Sequence, residues 1–154
     1  MSAPDLRLRP ARRDDLPTIM AMLADDMLGK DREGGGDDAV LAAFEEIEDD
    51  PRSTIWIATL DEEIVGCAQL TFIAGLAQRG MKRAILESVR IVSSRRGGGL
   101  GRAFILALNE KAREAGCGVM QLSSDKRRTD AHRFYRGLGF AMSHEGFKLK
   151  LDPA

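Results

Sequence analysis

Cysteine is scarce in this chain. There are two, Cys67 and Cys117, each inside an apolar segment. They match no metal-ligand spacing and cannot form a disulfide framework, so both read as buried, reduced thiols and no metal is expected. Long apolar runs are missing as well. No stretch approaches the ~20 residues of a membrane span, and the opening "MSAPDLRLRPARRDD" lacks the apolar centre of a signal peptide. The expectation is a cytoplasmic protein with no membrane partner. Nor is charge of one sign in excess: Lys+Arg 23 against Asp+Glu 24 leaves a net charge of −1. Such a chain has no overall field for nucleic acid, and none is expected as a partner. What remains is 44% hydrophobic and 31% charged over 154 residues. That suits one soluble domain, residues 1–154, with a real core.

The residues that are present mark out elements in order. Leu6 and Leu8 alternate with charge in "DLRLRPA", a short strand. Asp14 and Asp15 open a helix that carries Leu16, Ile19, Met20, Leu23 and Met27 at helical spacing, with Gly29 as its stop. "REGGGDD" is a turn or loop, and Val40, Leu41, Phe44 and Ile47 make a second amphipathic helix that ends at Pro51. "TIWIATL" and "EIVGCAQLTFI" flank "DEE" as an antiparallel hairpin, and "RAILESVRIV" is a further strand. Leu100, Phe104, Ile105, Leu108 and Ala112 form a third helical face, "GVMQLSS" a buried strand, and Ala131, Phe134, Tyr135 and Leu138 a fourth helical face ended by Gly139. "FAMS" and "GFKLKL" read as two closing strands around "HEG". The pattern predicts one mixed α/β domain.

Between the strand and the third helix lies "SSRRGGGLGRAF". Glycine loses more backbone freedom on folding than any other residue, so a cluster of four needs a reason. A helix N-terminus carries unbonded N–H groups and partial positive charge, and Gly97, Gly98, Gly99 and Gly101 would let an anion reach those donors. Arg95, Arg96 and Arg102 add mobile positive charge. A phosphate or pyrophosphate site is the inference; a flexible surface turn is the plain alternative. A nucleotide-triphosphate loop would need Lys-Ser/Thr after the glycines, and a dinucleotide fingerprint would need glycine where Arg102 stands.

Arg96-Gly97-Gly98-Gly99-Leu100-Gly101 does match Arg/Gln-x-x-Gly-x-Gly/Ala. That signature belongs to the GCN5-related N-acetyltransferase (GNAT) family. "ILESVRIVSSRRGGGLGRAFILAL" resembles the family's central strand, loop and helix, and "AHRFYRGLGF" resembles its Ala-x-x-Phe-Tyr-x-x-x-Gly-Phe segment. The hairpin "TLDEEIVGCAQL" is similar too, with Gly66 at the usual glycine. The resemblance runs along nearly the whole chain. It implies a single-domain GNAT-like α/β fold: a mixed, mostly antiparallel sheet of about seven strands, about four flanking helices and splayed central strands.

The same resemblance implies site residues. Acetyl-CoA, the co-substrate, would set its pyrophosphate against the N–H groups of Arg96, Gly97, Gly98, Gly99, Leu100, Gly101 and Arg102. Its pantetheine arm would pair with the backbone of Val89 and Ile91, like an added strand. A strand N–H near Ile91 would face the thioester oxygen. Tyr135, the chain's only Tyr, falls at the position of the general acid that protonates the departing thiolate; a core aromatic is the alternative. The base is left between Glu87, His144 and water. Glu87 stands in an otherwise apolar strand, a costly place for a carboxylate without a task or partner. Strict alternation puts it on the face of Val89 and Ile91, opposite Ser88 and Arg90. A surface Glu on a solvent-facing strand, or an ion pair with Arg90 or Arg83, is its other reading. His132 reads as solvent-facing, and Ser123 and Ser124 as hydrogen-bonding or capping groups. Arg128 replaces the Asn that many relatives carry three residues before the motif Ala131.

The implied activity is acetyl transfer from acetyl-CoA to a primary amine by direct attack, on a small-molecule acceptor. The acidic "FEEIEDD" favours a cationic amine. A protein N-terminus or lysine is the alternative acceptor, and an acyl-CoA-binding regulatory module without turnover is the alternative class. A homodimer is left open.

Overall fold

The computed structural model describes residues 5–25 and 37–152. Strand β1 spans Leu6–Pro10 and is followed by a 3-10 turn, Arg13–Asp15. Helices α1 and α2 span Leu16–Ala24 and Asp37–Asp49. Strands β2 and β3, Ser53–Leu60 and Glu63–Ile73, form a hairpin. A single turn at Ala77–Gly80 leads into β4, Arg83–Ile91. A 3-10 turn, Ser93–Arg95, precedes α3, Leu100–Glu114. Strand β5 is Val119–Leu122 and helix α4 is Thr129–Gly137. Met27, Gly29 and most of "REGGGDD" lie outside the described residues. The turn at Ala77–Gly80, with Gln78 and Arg79 at φ 53 and 63°, has no counterpart in the sequence reading. Neither residue is the glycine such angles favour.

The described sheet has five strands in the order β1-β2-β3-β4-β5. The first four are antiparallel neighbours. The N–H of Gly118 donates to the carbonyl of Lys82 at 2.8 Å, so β5 starts beside the start of β4. A paired strand that starts there must run parallel to β4, and α3 is the crossover that parallel pairing requires. Four residues cover about the first half of β4. Glu87–Ile91 runs on past them, where the family resemblance implied an opening between the central strands.

Alternation along β3 sorts the core into two faces. Cys67 pairs with Ile57 and packs with Ile19 and Met22 of α1. Gly66, Ala68 and Leu70 face the other way, towards Phe104 of α3. Phe104, Ile105 and Leu108 are fully buried there, as their helical spacing predicts. A Cβ on Gly66 would stand 2.8 Å from the carbonyl oxygen of Arg90 and 3.3 Å from the Phe104 ring. Glycine is what lets β3, β4 and α3 meet at that point.

The entry to α1 is held by charge. The Asp15 carboxylate, 7% exposed, accepts two hydrogen bonds from Arg9 at 2.7 and 2.9 Å and one from the Arg12 N–H at 2.7 Å. The Arg9 guanidinium, then the Arg12 N–H, hold this carboxyl below its ordinary range against the opposing effect of burial.

The chain separates into two compact units, one ending at Gln121 and one beginning at Leu122. The second contains α4 and the residues after it. Here the sequence expectation is corrected. "FAMS" and "GFKLKL" form no strands in the described chain, so the sheet has five strands rather than about seven. Phe147, Leu149 and Leu151 are 93%, 83% and 92% exposed. Alternating apolar residues specify a strand only when an edge and a face are supplied to receive them.

Candidate active site

The glycine loop is built on the first unit. Gly97 and Gly99 have φ of 84° and 82°, a conformation that costs an L-residue roughly 1–2 kcal/mol. Gly99 is the N-cap of α3, and its carbonyl accepts the N–H of Ala103 at 3.1 Å, the first bond of the helix. The N–H groups of Leu100, Gly101 and Arg102 precede that bond and have no intrahelical acceptor. A Cβ at Gly97 or Gly99 would meet nothing within 4 Å, so the space over these donors is open. Leu100, at 5% exposure, anchors the loop in the core. A cavity of about 290 Å³ lies against Leu60, Ser94, Arg95, Arg96, Gly98 and Leu100. Open amides, positive-φ glycines and adjacent guanidinium groups fit a pyrophosphate.

Two of the three arginines are less mobile than expected. Arg95 bonds Glu63 at 3.0 Å. Arg96 donates from Nε to the carbonyl of Ile91 at 3.1 Å and from its terminal nitrogen to the carbonyl of Asp25 at 3.2 Å. Arg96 thereby ties the glycine loop to the end of β4 and to the residue after α1. Arg102 is exposed.

Strand β4 departs from strict alternation. Gln69 pairs with Glu87 and Cys67 with Arg90. One residue separates the pair on β3 and two separate them on β4. That is a β-bulge, containing Ser88 and Val89, and Ser88 has a φ of 53°. The bulge overturns the expected faces. Glu87 shares the side of Gln69, Cys67 and Arg90, whereas Ile91 pairs with Gly66 and shares the opposite side with Leu86. Glu87 is also exposed rather than buried. Among the described residues it has no ion-pair partner, so the pairing with Arg90 or Arg83 is not formed. Val89 and Ile91 are half-buried. The Val89 carbonyl accepts from Arg90 at 2.9 Å, as the Ile91 carbonyl does from Arg96. Nothing in the sequence marks this bulge, because the left-handed position is a serine where glycine is usual.

Cys67 is buried as its apolar segment predicts, whereas Cys117 is only half-buried. Burial pushes the Cys67 thiol up to about 11 despite the nearby Arg90, and burial also raises Cys117. Among the described residues no cluster of His, Cys, Asp and Glu could hold a metal ion.

Tyr135 belongs to the second unit. It is half-buried on α4, with edge-on ring contacts to Phe134 at 5.3 Å and Phe140 at 5.5 Å. Its carbonyl accepts the N–H groups of Leu138 and Phe140, both at 3.1 Å, closing the helix. Asp125 organises the approach to α4: its carboxylate takes three bonds from Arg127, and its carbonyl meets the His132 ring at 2.9 Å. His132 is therefore engaged in its own loop. His144 is exposed and bonded to Ser143 at 2.7 Å. Ser123 and Ser124 follow β5 rather than end it.

An α/β sheet with a bulged central strand, a glycine-rich loop at a helix N-terminus and a crossover helix is the arrangement that the family resemblance implies. The comparisons with known proteins agree. A profile of the Acetyltransferase (GNAT) family matches residues 17–140, and the chain belongs to that family. It is 32% identical over 102 residues to an aminoalkylphosphonate N-acetyltransferase of Salmonella typhimurium, a match that spans 66% of each chain. Its structure resembles that of a transcriptional regulator from Bacillus halodurans C-125, with 42% identity, a TM-score of 0.89 and coverage of 95% of this chain and 99% of that one. It also resembles a Trypanosoma brucei acetyltransferase, with 26% identity, a TM-score of 0.76 and coverage of 96% and 100%. An aminoglycoside N-acetyltransferase solved with CoA shares the fold at 20% identity, with a TM-score of 0.78 and coverage of 97% and 96%. No helix among the described residues is long and apolar enough to cross a membrane.

Proposed function

We propose that this chain moves an acetyl group from acetyl-CoA to the primary amine of a small molecule by direct attack. The observation that carries the reading is one continuous piece of chain. An exposed carboxylate at a bulge, two half-buried strand residues and an open amide loop follow each other from Glu87 to Arg102.

Acetyl-CoA supplies an activated thioester whose carbonyl carbon an amine can attack. The amides from Arg96 to Arg102 hold the pyrophosphate, and the backbone of Val89 and Ile91 aligns the pantetheine arm. A strand N–H near Ile91 donates to the thioester oxygen as negative charge builds there. Glu87 takes the proton that the acceptor ammonium must lose, directly or through water. Exposure suits that task, since the acceptor arrives from solvent. Tyr135 gives its phenolic proton to the sulfur as the C–S bond breaks, and the second proton shed by the acylated nitrogen restores the phenol. The relative named for aminoalkylphosphonate supports a small amine over a protein amine.

A second reading rests on the structural relative named as a transcriptional regulator: an acyl-CoA-binding module without turnover. Calorimetric titration with acetyl-CoA, beside thiol release over a panel of amines that includes an aminoalkylphosphonate and a lysine peptide, separates the readings. Thiol release with a small amine supports transfer. Release with the peptide alone moves the acceptor to protein. Tight binding with no release from any amine establishes the module.

A further inference from the structure

Ahead of the bulge, β4 alternates regularly. Ile73, Thr71 and Gln69 of β3 pair in turn with Arg83, Ile85 and Glu87. Ala84 and Leu86, which pair with Phe72 and Leu70, are buried on the side of α3. Arg83, Ile85 and Glu87 therefore share the other face. Their order along it is cation, apolar, anion. Arg83 and Ile85 are half-buried, and Glu87 is exposed.

The two charges of this line do not answer each other. Four residues of strand hold their Cα atoms about 13 Å apart. Among the described residues neither makes an ion pair, and the Arg83 guanidinium makes no hydrogen bond. Arg9 is the contrast: half-buried likewise, it bonds the Asp15 carboxylate twice. A partly desolvated guanidinium without a carboxylate is a costly arrangement. The hydroxyls nearby do not relieve it, since Ser53 and Thr71 of the same face bond each other at 2.9 Å.

A ligand of the reverse order meets all three residues. An ammonium lies at Glu87, a short alkyl chain over Ile85 and an oxyanion at Arg83. The planar fork of a guanidinium matches two oxygens of a carboxylate or phosphonate, which a point charge does not. Gln69, directly opposite Glu87 on β3, offers a neutral amide beside the amine end.

Resting on the acetyl-transfer reading, we infer that the acceptor is a short amine with an oxyanion at its other end, and that Arg83 selects it. The reacting nitrogen stays at Glu87, next to the bulge. Recognition of the anion takes the opposite end of the line, away from the backbone of Val89 and Ile91. A neutral amine leaves the guanidinium unanswered, and a second ammonium is repelled by it.

The test is thiol release from acetyl-CoA with amines of one chain length. Aminoethylphosphonate, aminoethyl phosphate, aminoethanesulfonate and β-alanine are compared with aminoethanol and diaminoethane. At least one anionic amine should exceed both of the others by about tenfold or more in kcat/KM, the scale of a charge-assisted hydrogen bond. The ranking among the four then names the oxyanion. Arg83→Gln should lower the ratio of anionic to neutral kcat/KM by a similar factor. The loss should fall on KM, because the contact is the same before and during reaction. Arg83→Glu should turn the preference to diaminoethane. Equal rates for anionic and neutral amines in the wild type overturn the assignment and leave acetyl transfer standing. So does an anionic preference that Arg83→Gln leaves intact. Thiol release from no amine of the panel overturns the acetyl-transfer reading and this assignment with it. Should Arg83→Gln fail to fold, Arg83→Lys decides: with the fork lost the ratio should still fall, and an unchanged ratio overturns the proposal.

Discussion

The two family signatures of this chain sit in regions of opposite construction. The glycine loop hangs between a central strand and a helix whose Phe104, Ile105 and Leu108 are fully buried. The Phe-Tyr segment rides on a helix with no buried residue, held by its own turn bonds and by ring contacts to Phe134 and Phe140. A binding site for an anion needs fixed donors, and the first region provides them through rigid packing. In the proposed reading a proton donor needs only to reach one atom, and the second region carries it on a helix without a buried residue. The comparison predicts that damage to the first region will show in binding and global stability, and damage to the second in rate.

The largest effect should come from Gly99→Asp. A Cβ at this position meets no atom within 4 Å, so the fold should survive with the modest strain of a left-handed Asp. The carboxylate would stand over the amides meant for pyrophosphate. Acetyl-CoA affinity should fall at least ~100-fold, about 2.7 kcal/mol, by calorimetry. Tyr135→Phe should do the reverse. Its CoA affinity should stay within about twofold of wild type, and kcat should drop by about 10²–10⁴-fold with the true acceptor. An unchanged kcat would show that Tyr135 is not the acid, or that product release limits turnover.

A pair of phenylalanines sharpens the same contrast in stability. Phe104→Ala should cost about 3–5 kcal/mol, which for a domain of this size lowers Tm by roughly 10 °C. Phe134→Ala, at 38% exposure, should cost less than about 1 kcal/mol in the monomer. Equal losses would mean that the second region has a core after all.

Asp15 gives the next effect down, and its sign with pH is fixed. Its carboxyl is held below the ordinary value by Arg9 and the Arg12 N–H. The stabilisation is therefore complete above the unfolded value, near 3.9, and is lost as pH falls through the lower folded value. Asp15→Asn should cost about 2 kcal/mol at neutral pH, as expected for charge-assisted hydrogen bonds. The gap between variant and wild type should close under acid conditions, in denaturant titrations run from pH 7 to pH 2.

Most of the first region could be read in advance because periodicity and packing agree there. Leu100, Phe104, Ile105, Leu108 and Ala112 announce both a helix and its buried face, and all five are buried. The cluster from Gly97 announces positive φ, which Gly97 and Gly99 adopt, whereas the close approach at Gly66 shows only in the structure. The bulge could not be read. Ser88 adopts an angle its residue type does not advertise, and one extra residue in β4 reverses every face after it. The last strands were misread for a different reason. "GFKLKL" alternates as a half-buried strand would, but pattern gives only the face a strand would bury and not a hydrogen-bonded partner, and no strand forms there among the described residues.

That reversal leaves Glu87 as the sharpest remaining test. A base on the cofactor's face would have to be desolvated by the cofactor. Glu87, just before the bulge, instead stands exposed on the side of Gln69, Cys67 and Arg90, open to an acceptor that approaches separately. Glu87→Gln keeps the shape and removes the proton acceptor. If Glu87 is the base, kcat/KM should fall about tenfold or more at low pH, where almost no free amine exists in solution. It should recover as rising pH deprotonates the amine without help. An exposed side chain with no ion pair has little structural role to lose, so Tm should shift by no more than the ~0.5 kcal/mol typical of surface changes. Parallel pH profiles for the two proteins would take Glu87 out of the chemistry and pass the proton to water or to His144.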